Sequence, residues 1–283
     1  MRYDAHIHMV LDGENWRAAI ARHRTAPDEA YIRAVLASYQ AQGIFYLRDG
    51  GDRWGVCTCA ARLAAEYGIT YKSPAFPIYK NGCYGSFIGR GYDDLRGYGT
   101  LVERAALEGA DFIKIMISGI MDFDQLGVIT ESTYTPDEIG ALIHIAHEAG
   151  LRVMAHANGA RTVRAAAEAG VDSVEHGAYL DDAALRAMAE HQTLWTPTIV
   201  TIGNLIGAGR YPDAVLKPLF QLHTENIRRG AALGVPIAVG SDAGAWRVGH
   251  VHGTADEQRY LEEILGADAG ALRCGKRALL KRF

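Results

Sequence analysis

The residues best suited to chemistry begin near the start of the sequence, where two histidines are separated by one residue. His6 and His8 lie in the apolar run RYDAHIHM, residues 2–9. Side chains alternate between the two faces of an extended strand, so both imidazoles share a face with Asp4, opposite Ile7. Two neighbouring imidazoles can supply two nitrogen ligands to one metal ion. An exposed polar pair is the common alternative, and the presence of further ligands decides between them.

Four further polar residues occur within or at the end of apolar runs of strand length. They are Lys114 in DFIKIMIS, His156 in LRVMAH, His176 in VDSVEHG and Asp242 in VPIAVGSD. Packing explains a polar side chain at a strand end poorly, although Asp242 alone could cap a following helix. The joint occurrence of these residues with the histidine pair favours a metal site.

Lys114 is the hardest of these residues to explain by packing. Alternation within its strand directs Ile113 and Ile115 toward a helix layer, and Lys114 and Met116 toward the interior. A buried ammonium group is costly unless it is paired with an acid or chemically altered. The sequence leaves both an inward ion pair and a modified amine open.

The elements that must position these residues are eight strand-length runs, which alternate with Ala-rich segments of helical period. The remaining runs are GIFYLRDG, YKSPAFPIY and TLWTPTIV, at 43–50, 71–79 and 193–200. Thr135, Pro136 and Glu138 form the clearest helix start, a capping box.

This alternation predicts an α/β fold of parallel strands, a (β/α)8 TIM barrel formed by a single domain over 1–283. A doubly wound open sheet is the alternative, but no GxGxxG or Walker loop follows a strand. In a barrel the C-terminal strand ends face one rim, so the six polar residues are expected to meet there.

The composition excludes several other classes of protein. The net charge is −4 with no run of like charges, which argues against a nucleic-acid partner or a charged membrane surface. No apolar run is long enough to span a bilayer, and no secretory signal pattern is present. Cys57, Cys59, Cys83 and Cys274 have no disulfide or zinc spacing, so a cytoplasmic location is predicted. The expected partner is a small-molecule substrate.

These motifs resemble those of the amidohydrolase superfamily, and most closely its branch of imidazolonepropionase-like enzymes and metal-dependent Xaa-Pro dipeptidases. The resemblance rests on HIH, FIKIMISG, VMAHANGARTVRAAAEAGVDSVEHG and GVPIAVGSDAG, and is strongest over 111–244. It implies a metal-dependent hydrolase barrel. Members of this branch usually carry an accessory β-sandwich, and we expect a barrel without it here. A partner subunit could cover the flank left bare, so a homo-oligomer stays open.

The resemblance also implies a binuclear metal centre. His6, His8 and Asp242 would hold one divalent ion, and His156 and His176 the other. Lys114 would bridge both ions as a carbamate formed with carbon dioxide, that is, as a carboxylated lysine. A metal-bridging hydroxide would attack the substrate, and Asp242 would act as the catalytic proton carrier. Nitrogen and oxygen ligands make zinc the first candidate, with manganese, cobalt and nickel as alternatives.

The expected reaction is cleavage of a C–N bond in an amide, a cyclic amide or a small peptide. An esterase, lactonase or phosphotriesterase on the same site, a superfamily lyase or decarboxylase, and a non-catalytic ligand-binding barrel are the alternatives. A deaminase is disfavoured, because that branch needs a glutamate shortly after the position of His156, where Ala157 and Asn158 stand.

Loops on the active-site face are expected to read the substrate. The loop 80–98 is rich in glycine and aromatic residues, and within it Tyr84 could cover a ligand and Arg90 could pair with a carboxylate. The loop 118–134 follows the Lys114 strand and has the same expected role. His252 precedes a glycine in a dipeptide that resembles one the family often has there, so a substrate contact is predicted for it too.

Overall fold

The computed structural model describes residues 2–130, 134–266 and 269–283, in which strands and helices alternate. The strands are β1 (Arg2–Ile7), β2 (Ile44–Asp49), β3 (Thr70–Lys72), β4 (Pro77–Lys80), β5 (Arg90–Tyr92), β6 (Phe112–Met116), β7 (Arg152–Ala157), β8 (Ser173–His176) and β9 (Leu194–Thr196). The helices are α1 (Trp16–Arg22), α2 (Glu29–Ala41), α3 (Val56–Ala64), α4 (Leu95–Leu107), α5 (Pro136–Glu148), α6 (Ala160–Glu168), α7 (Asp182–Glu190), α8 (Val200–Gly203), α9 (Asp213–Leu233), α10 (His252–Leu265) and α11 (Gly270–Arg282).

The named strands pair in parallel throughout, in two sheets with the orders β1-β2-β3 and β5-β4-β6-β7-β8-β9. The run predicted as strand three is divided, because β3 pairs with β2 whereas β4 pairs with β6. Pro74 and Pro77 lack the backbone donor that a continuous ladder needs, and Ala75 has a positive φ of 61°.

The run predicted as strand eight is extended backbone between β9 and β1 rather than a regular strand. The amide of Trp195 donates to Pro236 O over 2.9 Å, and that of Ala5 donates to Val239 O over 2.9 Å. Pro236 interrupts the donor pattern there. The segment therefore links both sheets, and the architecture is TIM-barrel-like, with parallel strands and surrounding helices.

The side chains of β6 alternate between the two faces of the strand, as predicted. Ile113, Ile115 and Ile117 belong to the hydrophobic core that includes helix residues such as Val102 and Leu142. Lys114 and Met116, from the other face, line a cavity with the predicted site residues. The pleat of one strand thus separates packing from chemistry.

Helix starts and cysteines also match the sequence. Thr135 and Glu138 form the predicted capping box at the start of α5. Cys57, Cys59 and Cys274 are free thiols. Within the described ranges, no helix combines the length and the apolar content that crossing a bilayer requires.

Candidate metal centre

Three predicted ligands form a nearly equilateral triangle of donor atoms. His6 Nε2 and His8 Nε2 are 3.3 Å apart, and each is 3.4 Å from Asp242 Oδ1. Ligands at about 2.0–2.1 Å from a tetrahedral zinc ion are about 3.3–3.4 Å apart. The donor set therefore fits one divalent ion without rearrangement of these side chains.

A polar partner lies close to one ring nitrogen of His6, His156 and His176, which leaves the other nitrogen of each of these rings for a ligand role. His6 Nδ1 lies 2.9 Å from Glu175 Oε2, and His176 Nδ1 lies 2.7 Å from Thr198 Oγ1. His156 uses Nε2 instead, 3.0 Å from the carbonyl oxygen of Gly119. Such partners fix ring orientation and tautomer in metal sites.

His156 and His176 lie next to the first triangle. Their ring centroids are 4.5 Å apart, and the His176 centroid is 5.3 Å from that of His6. β7 and β8 bring them together, because Ala157 pairs with His176 across the two neighbouring strands. The structure thus places four imidazoles and Asp242 at the C-terminal ends of adjacent parallel segments.

Lys114 projects into the same space from β6. Its side chain is 1% exposed, and its Nζ has no hydrogen-bond partner among the described residues. Burial lowers the pKa of Lys114 to about 8, which enlarges the neutral amine fraction near neutral pH. An unpartnered buried amine is unfavourable by itself, and this is the observation that a carbamate or a nearby ligand would resolve.

Burial also sets the protonation of the other ligands. It lowers the pKa of His8 and His156 to about 3 and holds those of His6 and His176 well below the usual value, with Lys114 adding to these shifts. The imidazoles are therefore neutral and keep the lone pair that a metal requires. Burial raises the pKa of Asp242 to about 7.

Backbone strain occurs at two of these positions. His176 and Asp242 have positive φ angles of 68° and 59°, a region that side chains other than glycine rarely adopt. The amide of Asp242 donates to His6 O over 2.7 Å and holds this turn against β1. Strained residues of this kind cluster at functional sites.

Glycine allows the close approach of His8 to β2. A Cβ at Gly50 would overlap the His8 imidazole. Gly50 follows Asp49, which accepts hydrogen bonds from the amides of Met9 and Gly51. The RDGG sequence at the end of β2 therefore supports the His8 ring, a role that no sequence pattern indicated.

The six predicted residues line one cavity of 390 Å³, and a second cavity of 170 Å³ shares His156, His176 and Asp242 with it. Tyr84 lines both cavities, and its ring lies 4.8 Å from that of His156, so the structure brings this predicted residue to the site. Phe87, from the same predicted loop, also lines the larger cavity. Four further wall residues were not predicted individually, of which Trp16 begins α1 and the others lie outside the regular helices and strands. They are Trp16, Met121, Tyr211 and Trp246.

Two predicted substrate residues lie elsewhere. Arg90 is paired with Glu108 over 2.8 Å and its guanidinium lies over Phe76, so its charge is used inside the helix layer. His252 is exposed at the first position of α10 and does not line either cavity. The structure therefore does not bring Arg90 or His252 to the described cavities.

Both loops that were predicted to contact the substrate contribute side chains to the cavity walls. The loop 80–98 supplies Tyr84 and Phe87 but also contains β5 and the start of α4. The loop 118–134 supplies Ile120, Met121 and Phe123 to the cavity walls, and its residues 131–133 lie outside the described residues. Both loops thus reach the cavities.

Comparison with known proteins gives one family and a common fold. The model described as "Amidohydrolase family" matches residues 3–279. An uncharacterised protein of Mycobacterium tuberculosis is 34% identical over 138 residues, 46% of this chain and 36% of its own length. Ochratoxinase of Aspergillus niger is 28% identical over 189 residues, 65% of this chain and 38% of its own length. The chain thus matches well under half the length of these curated relatives.

Solved structures match almost the entire chain. A prolidase complexed with N-methylphosphonate-L-proline has a TM-score of 0.77 at 25% identity, over 99% of this chain and 74% of that one. Ochratoxinase of Aspergillus niger has a TM-score of 0.77 at 20% identity, over 98% of this chain and 71% of that one. At 20% identity, the similarity to the ochratoxinase structure shows only that the two chains share a fold.

Proposed function

The chain belongs to the amidohydrolase family, and on that premise we propose that it is a metal-dependent hydrolase that cleaves a C–N bond of a small molecule. The bond belongs to an amide, a cyclic amide or a small peptide. The triangle formed by His6, His8 and Asp242 is the observation that carries this proposal, because it fits a divalent ion.

We propose that His6, His8 and Asp242 hold one ion and that His156 and His176 hold a second. Zinc is the first candidate for this nitrogen and oxygen donor set, with manganese, cobalt and nickel as alternatives. When bound, divalent ions at such a site polarise a carbonyl group and lower the pKa of water. The proposal is supported by the neutral state of the four buried imidazoles.

Lys114 is the proposed bridge between the two ligand groups. A neutral amine adds to carbon dioxide, forming an N–C bond and releasing one proton, and the product carries an anionic pair of oxygen atoms. This product would remove the cost of the buried, unpartnered ammonium nitrogen. It would also supply oxygen ligands between the two histidine groups.

Asp242 is the proposed proton carrier. Its carboxylate is the part of the triangle that remains partly accessible, with a side chain 17% exposed toward the cavity that would hold substrate. Burial raises the pKa of this carboxyl to about 7 in the absence of bound metal, and its position beside the cavity would let it accept and release a proton during turnover. It would accept a proton from the attacking water and deliver it to the leaving nitrogen.

We also propose that the two sheets and the segment between β9 and β1 form a closed (β/α)8 barrel. The hydrogen bonds of Trp195 with Pro236 and of Ala5 with Val239 support it. The single domain, the small-molecule partner, the cytoplasmic location and any homo-oligomer stay predictions.

Metal analysis combined with turnover tests this function. Protein purified from metal-supplemented medium is expected to contain about two divalent ions per chain and to hydrolyse a panel of N-acyl amides. Chelation should abolish turnover, and zinc, manganese or cobalt should restore it. His6→Ala should lose metal and turnover, whereas His144→Ala, whose side chain is 71% exposed on α5, should retain both.

The alternative reactions are separate outcomes of the same panel. Turnover of esters or phosphotriesters without amides would select the esterase, lactonase or phosphotriesterase reading, and release of carbon dioxide would select a lyase or decarboxylase. No turnover with both ions bound would favour a ligand-binding barrel. Amide hydrolysis that persists without any divalent ion would overturn the metal-dependent proposal.

A further inference from the structure

We infer that the substrate of this site is an uncharged amide that carries a bulky apolar group, in preference to a peptide with a free carboxylate. The inference rests on the proposed function and deepens it by naming the substrate class. The chemistry of the cavity walls carries it, separately from the metal ligands.

Aromatic rings form two connected groups in the walls. The first joins Trp16 to Phe87 and Phe87 to Tyr84, with ring centroids 5.9 and 5.6 Å apart. Tyr84 continues to His156, 4.8 Å away, so this group reaches the proposed ligands. Rings in contact at these distances offer a continuous apolar surface to a ligand.

The second aromatic group lines the smaller cavity. Phe123 and Tyr211 have centroids 5.3 Å apart, and Tyr211 and Trp246 have centroids 6.3 Å apart. Met121 and Leu205 extend the same wall. An apolar substituent gains about 25 cal/mol for each Å² that it buries against such a surface, so the walls of both cavities favour bulky apolar groups.

Among the residues that the structure describes, no cationic side chain lines these aromatic walls where it could neutralise a carboxylate. Lys114 is the single lysine or arginine among the described residues that line the two cavities, and it lies among the proposed ligands. Arg90 is paired with Glu108. A carboxylate against the aromatic walls would lose its hydration without a counter-charge, which is unfavourable.

Asn158 and Thr201, two neutral polar residues that line the smaller cavity, form hydrogen bonds within the protein. Asn158 Nδ2 donates to Gly119 O and its Oδ1 accepts from the amide of Ala178. Thr201 Oγ1 donates to Thr198 O. Orientation of the substrate would therefore come from the ligand centre, from the shape of the apolar walls, and from the uncharged polar atoms of Tyr84, Tyr211 and Trp246.

Two arginines lie over wall rings without lining the cavities. The guanidinium of Arg210 is 4.7 Å from the centroid of Trp246, and that of Arg17 is 4.3 Å from that of Trp16. Both arginines are exposed to solvent. They are the side chains that would bind a substrate carboxylate if the inference were wrong, so the test includes them.

A matched substrate pair tests the inference with the metal-loaded protein. N-benzoyl-phenylalanine amide and N-benzoyl-phenylalanine share the scissile benzoyl amide. Their termini differ, because the first compound ends in a neutral carboxamide and the second in an ionised carboxylate. The neutral compound is expected to have a kcat/KM at least about tenfold higher. Equal values or preference for the acid would overturn the inference, whereas hydrolysis of no amide in the panel would overturn the proposed function.

The apolar requirement has its own control. N-acetyl-glycine amide keeps an uncharged scissile amide but removes both aromatic groups, and its kcat/KM should be at least about tenfold lower than that of the neutral benzoyl compound. Trp246→Ala should narrow this gap, mainly through KM for the larger substrate. Equal use of both amides by the wild-type protein would overturn the role of the walls.

A positive charge introduced into the wall should reverse the substrate preference, and this is the last part of the test. Met121→Arg, or Ile120→Arg if the first variant does not fold, places a guanidinium in the wall and should move the preference about tenfold or more toward the acid. Met121→Gln is the uncharged control and should keep the wild-type order. No shift in substrate preference in either arginine variant would overturn the inference. It would also be overturned if the wild-type protein prefers the acid and Arg210→Ala or Arg17→Ala selectively loses hydrolysis of the acid.

Discussion

His6 Nδ1 and Glu175 Oε2 lie 2.9 Å apart, and both side chains are fully buried. The other carboxylate oxygen of Glu175 accepts a hydrogen bond from Arg48 over 2.8 Å, and Arg48 also donates to the carbonyl oxygen of Ala5 in β1. A buried series of contacts thus runs from the Arg48 guanidinium through the Glu175 carboxylate to the neutral His6 imidazole. A carboxylate on Nδ1 fixes the tautomer that leaves Nε2 free as a ligand.

Replacement of Glu175 by glutamine is expected to weaken the binding of one divalent ion about 10- to 100-fold, because the neutral amide orients and polarises His6 less well than a carboxylate. Competition with a chromophoric chelator measures this affinity. Glu168→Gln on α6, an exposed carboxyl group, is the control. Unchanged affinity in a folded Glu175→Gln protein would contradict the positioning role.

Lys114→Ala is expected to lose bound metal and turnover, because it removes the proposed bridge between the two ligand groups. Metal content per chain and turnover are measured in parallel. Acetate or bicarbonate should partly restore both by supplying oxygen ligands in the vacated space. A Lys114→Ala protein that keeps both ions and full turnover would contradict the carbamate proposal.

Lys114→Met separates the structural cost of the amine from its proposed role. The substitution removes a buried ammonium nitrogen that has no partner among the described residues, so the metal-free variant should melt above the metal-free wild type. Addition of zinc should raise the melting temperature of the wild type more than that of the variant. A metal-free variant that melts lower would show that the amine stabilises the fold.

Sequence patterns predicted the parts of the fold that depend on local periodicity. The alternation in β6 separated Ile113 and Ile115 from Lys114, because the pleat directs successive side chains to opposite faces. The capping box at Thr135 was equally local. The order of strand ends then sufficed to expect the predicted ligands at one rim.

Tertiary contacts determined what the sequence did not show. Glu175 stands beside His176 in the quoted motif, but its role depends on Arg48, which is distant in sequence. The charge of Arg90 is taken by Glu108, a pairing that no local pattern predicts. Trp246 reaches the cavity from a loop, where a side chain's direction follows from the fold and not from periodicity.

Gly275→Ala is expected to destabilise the protein, because a Cβ there would overlap the carbonyl oxygen of Ile237 in the segment beside β9. Overpacking of this kind costs about 1–3 kcal/mol, measurable by denaturant unfolding. Gly270→Ala, on the same helix α11, is the matched control, since its added Cβ would lie 4.0 Å from Arg273 Nη2, at an ordinary contact distance. Equal stability of the two variants would contradict close packing of α11 on this segment.

Glu257 in α10 should make stability depend on pH. Burial raises its pKa to about 8, and one carboxyl oxygen accepts from the amide of Val200 over 2.8 Å. The folded chain therefore binds a proton that the unfolded chain, with a glutamate pKa of about 4.3, releases at lower pH. The stability that the protonated Glu257 carboxyl contributes is fully present below about pH 4.3 and is lost as the pH rises toward 8.

The variant Glu257→Gln does not titrate, so its free energy of unfolding should increase relative to that of the wild type across this pH interval. Denaturant titration at several pH values measures the difference. Glu263→Gln, with a side chain 60% exposed on the same helix, provides the reference profile, and identical profiles for the two variants would contradict the assignment to Glu257.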